Sequence, residues 1–334
     1  MRNHIRSVLE ALVKFGIAFA ILYWLYSQGH LRFDFVHTLL AHPLVLVACL
    51  FLTFVSLYFN NERWRLLLHD QNMIYSRWAT GRLTLIGLFF NFAMPGGVGG
   101  DIIKSFYLTR NHVSEKTKSI MTVLMDRLIG LHSILILGSV SMWLDITQIW
   151  SLPELKIVFL IVFLGTIAFT VITLAFLSHS EKTKKIVELI ISLLPLKHRF
   201  LKIYHTFNSY GRHKKTLLLA YIYSFISQSL AIIFMYMICT LTYGVTINPH
   251  SFFIVVPIGF ILTALPISPA GVGVGQAAFL YLFKIYSPEH ASLGPSALTA
   301  WQASLLLFGL IGGGLYLLNR AEIKTAQTLS ESQS

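Results

Sequence analysis

Charge is scarce in this sequence, and acid is scarcer still. Asp and Glu number 14 and Lys and Arg 26 among 334 residues, so 12% of the chain is charged, about half the usual share of a soluble domain. A soluble globule is excluded. Cysteine is nearly missing: Cys49 and Cys239 both lie in apolar runs, without CxxC or metal-ligand spacing, which excludes a disulfide framework and a zinc site and leaves both as packing residues. No metal or cofactor is expected. Catalytic signatures are missing too. There is no G-x-S-x-G elbow, no H-E-x-x-H, and no soluble insert large enough for a catalytic domain, so an enzyme is not expected. The 13 histidines are scattered, and His132, the one clearly mid-span, reads as a satisfied polar residue rather than a ligand.

Apolar residues fill the space these absences leave. With 55% hydrophobic residues and a mean hydropathy of +0.68, the chain reads as an all-α polytopic membrane protein. The net charge of +12 would also suit a nucleic-acid binder, but the basic residues fall in short clusters between apolar runs. Anionic lipid headgroups are the expected partner, and nucleic acid is not. Arg2 and Arg6 precede the first apolar run as in a secretory signal. Ser27-Gln28-Gly29 offers no small-x-small cleavage pattern, so a retained first helix is expected.

Asn91-Phe92-Ala93-Met94-Pro95-Gly96-Gly97-Val98-Gly99-Gly100-Asp101 breaks this apolar background. Pro and Gly at that density cannot stay helical, and in lipid the freed backbone groups need protein or water partners. The break recurs: Met94 to Leu108 aligns without a gap to Ser268 to Leu282, with Pro95/Pro269, Gly97/Gly271, Val98/Val272, Gly99/Gly273, Tyr107/Tyr281 and Leu108/Leu282 coinciding. Paired Gly/Pro-interrupted segments in two halves point to a transporter-type binding site.

Apolar runs predict crossings over 8–26, 43–59, 120–143, 157–177, 217–243 and 297–318. Glu10 and Lys14 in the first are spaced to pair on one helical face. Arg77 and Arg82 precede the first break, and Lys104, Arg110, Lys116 and Lys118 follow it. Basic flanks on both sides predict a re-entrant hairpin entered from the cytoplasm. Acidic Asp145 and Glu154, and uncharged Asn248 and His250, mark the outer face, so the second broken segment, 252–286, enters from outside. Between the halves, residues 181–215 carry nine Lys or Arg against two acids, with Ile186, Val187, Ile190, Leu193 and Leu194 spaced for an amphipathic helix on the cytoplasmic surface. The expected fold has about eight hydrophobic segments, six transmembrane helices and two re-entrant hairpins in an inverted repeat, both termini inside. One integral domain spans 1–324, with half-repeats 43–150 and 216–318, a basic linker 180–215 and a polar tail 325–334. Eight plain spans are the alternative, at odds with the basic pattern at 110–118.

Candidate headgroup-binding residues cluster at the breaks. They are Asn91, Pro95, Gly96, Gly97, Gly99, Gly100, Asp101 and Lys104 in the first, and Pro266, Pro269, Gly271, Gly273 and Gln276 in the second. Backbone N–H groups where a helix opens near Asp101, with Lys104 one turn on, suit a lipid phosphate. Asp101 is expected either to cap that helix or to contact a cationic headgroup. Asp126 and Arg127 lie within a span, where charges face a cavity or a partner. Arg63 and Arg65 around Trp64 read as an interfacial anchor. Lys104-Ser105 is not a P-loop, because Ile103 stands where glycine is required, and Gly271-Val272-Gly273-Val274-Gly275 is not GxGxxG.

Asn91-x-x-x-Pro95-Gly96-Gly97-x-Gly99-Gly100-Asp101, the Asp126-Arg127 pair, Arg63-Trp64-Arg65 and Pro266-Ile-Ser-Pro-Ala-Gly-Val-Gly together resemble the membrane region of lysylphosphatidylglycerol synthases and the flippase-like proteins related to them. The likeness covers nearly the whole chain. It implies a bacterial or archaeal cytoplasmic-membrane protein whose relatives translocate aminoacylated phospholipids or accompany glycosyl transfer to lipid carriers. Two departures matter. No aminoacyl-transferase or glycosyltransferase domain follows Lys324, so synthase activity is not expected, and Gln276 stands where the pattern commonly carries glutamate. The leading expectation is a lipid translocase for a phospholipid, an aminoacylated phospholipid or a polyprenyl-linked lipid. The competing readings are a non-transporting membrane partner of an envelope-lipid enzyme and an intramembrane lipid-carrier transferase, for which Asp101 and Asp126 would be the candidate bases.

Overall fold

The computed structural model describes residues 16–331 other than 17, 32, 95, 96, 194, 196, 243, 245, 246 and 266, with backbone alone at 34, 38, 148, 242 and 319–331. Glu10, Lys14, Pro95, Gly96, Leu194 and Pro266 therefore lie outside the described residues. The described residues form helices and no strand. In chain order these are α1 (Ala18–Ser27), α2 (Asp34–Ala41), α3 (Pro43–Asp70), α4 (Arg77–Ala93) and α5 (Gly99–Asn111). Next come α6 (Lys116–Leu144), α7 (Ile146–Ser151), α8 (Pro153–Leu177), α9 (Glu181–Ser192) and α10 (Lys197–Tyr210). The last are α11 (Lys214–Met237), α12 (Pro249–Thr263), α13 (Val274–Tyr286) and α14 (Leu293–Glu331).

Five of these, α3, α6, α8, α11 and α14, are long and apolar enough to cross a membrane. The expected first crossing is described only in part, as α1. Large aliphatic side chains such as Ile157, Ile161, Leu164, Val171 and Leu174 on α8 point outward. A polytopic protein turns such side chains to lipid, where their exposure costs nothing.

Local signals account for the helix starts. Pro43 and Pro153 occupy first-turn positions that need no N–H donor. Ser76 and Asn248 accept from Ala79 N at 3.2 Å and His250 N at 3.0 Å, capping α4 and α12. Both broken segments fold as helical hairpins, α4–α5 and α12–α13. Their arms have 17, 13, 15 and 13 residues, short of the about 20 needed to span a bilayer.

α3 lies along α11, α4 on α14 and α12 on α6, while α5 touches α6 and α13 touches α14. Exchanging α3 to α6 for α11 to α14 leaves this set of neighbours unchanged. Small residues permit the closest approaches. A side chain at Gly312 of α14 would strike the backbone of Leu85 on α4, and one at Gly138 of α6 would come within 3.3 Å of Pro257 on α12.

The hairpins enter from opposite ends of the bundle. The open end of α4–α5 lies at the start of α6, joined through the short turn Val113–Glu115. That of α12–α13 lies at the far end of α6, where the Tyr286 hydroxyl donates to the Asp145 carboxylate. The tips meet between them: a Cβ built on Gly97 would lie 3.7 Å from the Ala270 nitrogen. In the linker, α9 buries Val187 and Ile191 against Tyr204 and leaves Ile186, Leu189, Ile190 and Leu193 exposed. The expected amphipathic helix thus has one face on protein and another apolar face turned outward.

Candidate functional site

Two cavities lie where the hairpin tips meet the bundle. The first, about 190 Å³, is walled by Asn60, Arg63, Asn91, Asp101, Lys104 and Asp126 among others, and the second, about 240 Å³, by Thr263, Ala270, Gly271 and Gln302. Leu88, Asn91 and Arg127 line both, so the cavities adjoin. Among the expected site residues, Asn91, Gly97, Gly100, Asp101, Lys104, Asp126, Arg127 and Gly271 are brought to this region.

The first tip is closed by its own residues. Asn91 Oδ1 accepts from Gly100 N at 2.9 Å, tying α4 to the first turn of α5. Any side chain at Gly99 or Gly100 would occupy the place of the Phe90 or Gly87 carbonyl. Gly97 has φ +65°, a conformation costly for other residues. The N–H groups of Asp101 and Ile102 both reach Val98 O, each at 3.1 Å. The Gly100, Asp101 and Ile102 donors are thus already engaged within the tip. Asp101 does not cap α5; its carboxylate lies 2.6 Å from Arg127 Nε.

Charge in the first cavity is arranged in pairs with one cation left over. Arg63 Nε lies 2.7 Å from Asp126 Oδ1, with side-chain exposures of only 8% and 12%, so this pair is sealed in the bundle. The Arg127–Asp101 pair is more open, Arg127 keeping half its side chain exposed towards the junction of the two cavities. Lys104 has no carboxylate partner among the described residues; its Nζ stands 4.3 Å over the Trp64 ring, a cation–π contact. Three cations face two carboxylates. A single anionic oxygen would neutralise the remainder.

The interfacial reading of Arg63-Trp64-Arg65 is corrected by this geometry. α3 does not end near Phe59 but runs on to Asp70, so the three residues lie within the helix rather than just beyond its end. Trp64 is fully buried and Arg63 nearly so, while Arg65 pairs with Glu62 at 2.7 Å. The indole packs with Leu68, Met73, Leu108 and Val123 in a buried cluster, so it is not a surface side chain.

The second tip is held by glutamines. Gln276, 1% exposed, accepts from Gly273 N at 2.7 Å and donates to Gln302 Oε1 at 2.7 Å and Thr299 Oγ1 at 3.1 Å. Gln302 then donates to Ala270 O at 3.0 Å. Gln276 therefore fastens the hairpin to α14 rather than lining the cavity, and Gln302 lines it instead. Pro269 and Gly273 are buried backbone supports, Gly273 lying against Ala18 of α1.

A buried polar track was not foreseen. Arg63 Nη1 donates to Ser224 Oγ at 2.8 Å, Ser224 meets Ser133 at 2.5 Å, and Ser227 meets Ser56 at 2.9 Å and Asn60 at 2.7 Å. Thr53, Ser56, Asn60 and Arg63 recur three and four apart along α3, a polar stripe that periodicity would have found. His132 is satisfied by Tyr221 at 2.6 Å and Thr170 at 2.9 Å. Cys49 and Cys239 are buried and free, as expected.

With the geometry in view, comparison with known proteins adds one finding. The sequence model of the family described as lysylphosphatidylglycerol synthase TM region matches residues 11–313. No curated protein gives a significant match.

Proposed function

Starting from the premise that this chain belongs to the lysylphosphatidylglycerol synthase TM region family, we propose that it is a lipid translocase of the bacterial cytoplasmic membrane. The observation that carries the reading is the paired charge in the cavity beside the first hairpin tip, with Lys104 as surplus cation and Arg127 reaching the adjoining cavity at the second tip. Charges are expensive within a membrane and are kept where they face a cavity or a substrate. An anionic headgroup, phosphate-bearing and without a compensating amine, matches the surplus; a cationic aminoacyl headgroup would add to it. The hairpins act as re-entrant elements, with the basic end of the bundle cytoplasmic. Headgroups enter the polar junction while acyl chains stay in the bilayer, and tips that meet at the middle of the bundle alternate its opening. No covalent step is required of Asp101 or Asp126, both of which are engaged in ion pairs.

Purified protein in liposomes tests this, with lipid movement followed by a headgroup-accessible reporter. Lys104→Ala is expected to slow anionic phospholipid or polyprenyl phosphate movement by roughly tenfold or more, about 1.4 kcal/mol of barrier. Lys185→Ala, in the surface cluster, removes only about 1 kcal/mol of lipid attraction and leaves the rate within a few-fold. Equal rates for wild type, Lys104→Ala and protein-free liposomes across anionic, aminoacylated and polyprenyl lipids would sink the translocase. They would favour a membrane partner of an envelope-lipid enzyme.

A further inference from the structure

A separate cavity of about 630 Å³ opens at the end of the bundle where α3 finishes and α6 and α11 begin. It shares no lining residue with the cavities at the tips. One wall is a single face of α10: His198, Leu201, Lys202, His205, Thr206 and Ser209 recur three and four apart and all line it. The opposite face, with Tyr204, Phe207 and Tyr210, is buried in the protein, which fixes how α10 is turned. Asp70, Gln71 and Asn72 after α3, Lys118 on α6, and Arg212 and His213 before α11 complete the wall.

The one carboxylate of this wall is engaged within it. Asp70, its side chain only 2% exposed, takes His213 Nδ1 at 2.8 Å and a donor from Gln71 at 3.2 Å. Gln71 Nε2 also reaches Ser209 Oγ at 3.2 Å. Lys118 is held by Glu115 at 2.5 Å. Lys202 and Arg212 are exposed, and both carry donors with no acceptor capacity. With Lys118 taken by Glu115 and His213 by Asp70, Lys202 and Arg212 and the imidazoles of His198 and His205 are the basic groups left facing the cavity. Leu201 is the one aliphatic side chain of the wall. Lipid contact on this side belongs instead to the exposed apolar face of α9.

We propose that this cavity binds a water-soluble polyphosphate, a ligand class distinct from the lipid of the hairpin site, and the assignment does not depend on translocation. Lys202 lies about 12 Å of helical rise before the end of α10, and Arg212 stands just beyond that end. Cations spread over such a length suit a chain of phosphates better than a single one. Because the wall joins the ends of α3, α6 and α11, a bound polyanion ties together the helices that carry Arg63, Asp126 and Ser224.

The test uses the full-length protein in detergent, with inorganic tripolyphosphate as the probe in calorimetry. Saturable binding of one equivalent is expected, at least tenfold weaker for orthophosphate and at least tenfold weaker in Lys202→Gln/Arg212→Gln. The charge-keeping variant Lys202→Arg/Arg212→Lys should bind within a few-fold of wild type, which separates loss of charge from loss of fold. No saturable binding to wild type, or equal affinity in the glutamine variant, overturns the proposal. A second arm presents phosphatidic acid in nanodiscs. Binding there that depends on Lys202 and Arg212, without tripolyphosphate binding, would overturn the soluble-ligand assignment and make the wall a headgroup site.

Discussion

Arg63 and Asp126 show at the level of single residues why charge can sit deep in this bundle. Their 2.7 Å contact, with Ser224 taking a second guanidinium nitrogen at 2.8 Å, leaves neither ion to face apolar surroundings alone. Removing one partner strands the other, a loss of about 3–5 kcal/mol for buried pairs, whereas replacing both with apolar residues of similar volume restores packing without the desolvation cost. Arg63→Ala is therefore expected to unfold markedly earlier in an SDS titration than wild type, and Arg63→Met/Asp126→Leu to recover most of the difference. A double variant no more stable than the single one would mean that the pair does more than cancel charge. Lys104 obeys a different rule, because an aromatic face supports a cation while leaving it free to take an anion.

At the scale of elements, the two hairpins are fastened by different chemistry at matching places. The first uses Asn91 on its entering arm to hold Gly100; the second uses Gln276 on its leaving arm to hold Gly273, and adds Gln302 and Thr299 of α14. The Gln276 amide is required because it must accept from Gly273 and donate to α14 at once. Leucine there abandons both, leaving buried polar groups unmet at about 1–3 kcal/mol each. Glutamate keeps the cap and, ionised, loses the donors. The expected order of thermal stability is wild type, then Gln276→Glu, then Gln276→Leu, read from unfolding midpoints in detergent. Gln276→Leu as stable as wild type would remove the fastening role.

For the whole molecule, opposed hairpins make a claim about sidedness. Hairpin arms of 13 to 17 residues have their open ends at the two ends of α6, with Lys116 at one end and Asp145 at the other. Under the proposed orientation the basic end, with Lys116 and Arg199, is cytoplasmic and the end with Asp145 and His250 is outside. Single cysteines at 116 and 199 should react with an impermeant maleimide only in inverted vesicles, and those at 145 and 250 only in intact cells. Labelling of 116 from outside would dismiss the first re-entrant hairpin and restore plain spans.

Composition and periodicity alone were enough for the membrane class, the helical content and the two broken segments, since each follows from local backbone chemistry: apolar runs become helices in lipid, and Pro-Gly clusters cannot. Family membership was also legible, through motifs whose spacing is local. The same signals misplaced Trp64, because Arg-Trp-Arg after an apolar run looks identical whether the helix ends there or continues into the core. They also gave no sign that Asp101 pairs with Arg127. Only packing decided those cases. Arg63 and Asp126 are 63 positions apart, and Ser56 and Ser227 171, so which charge meets which depends on helices closing over one another. A buried charge must find its partner wherever the fold brings one, and no feature of the surrounding sequence records where that will be.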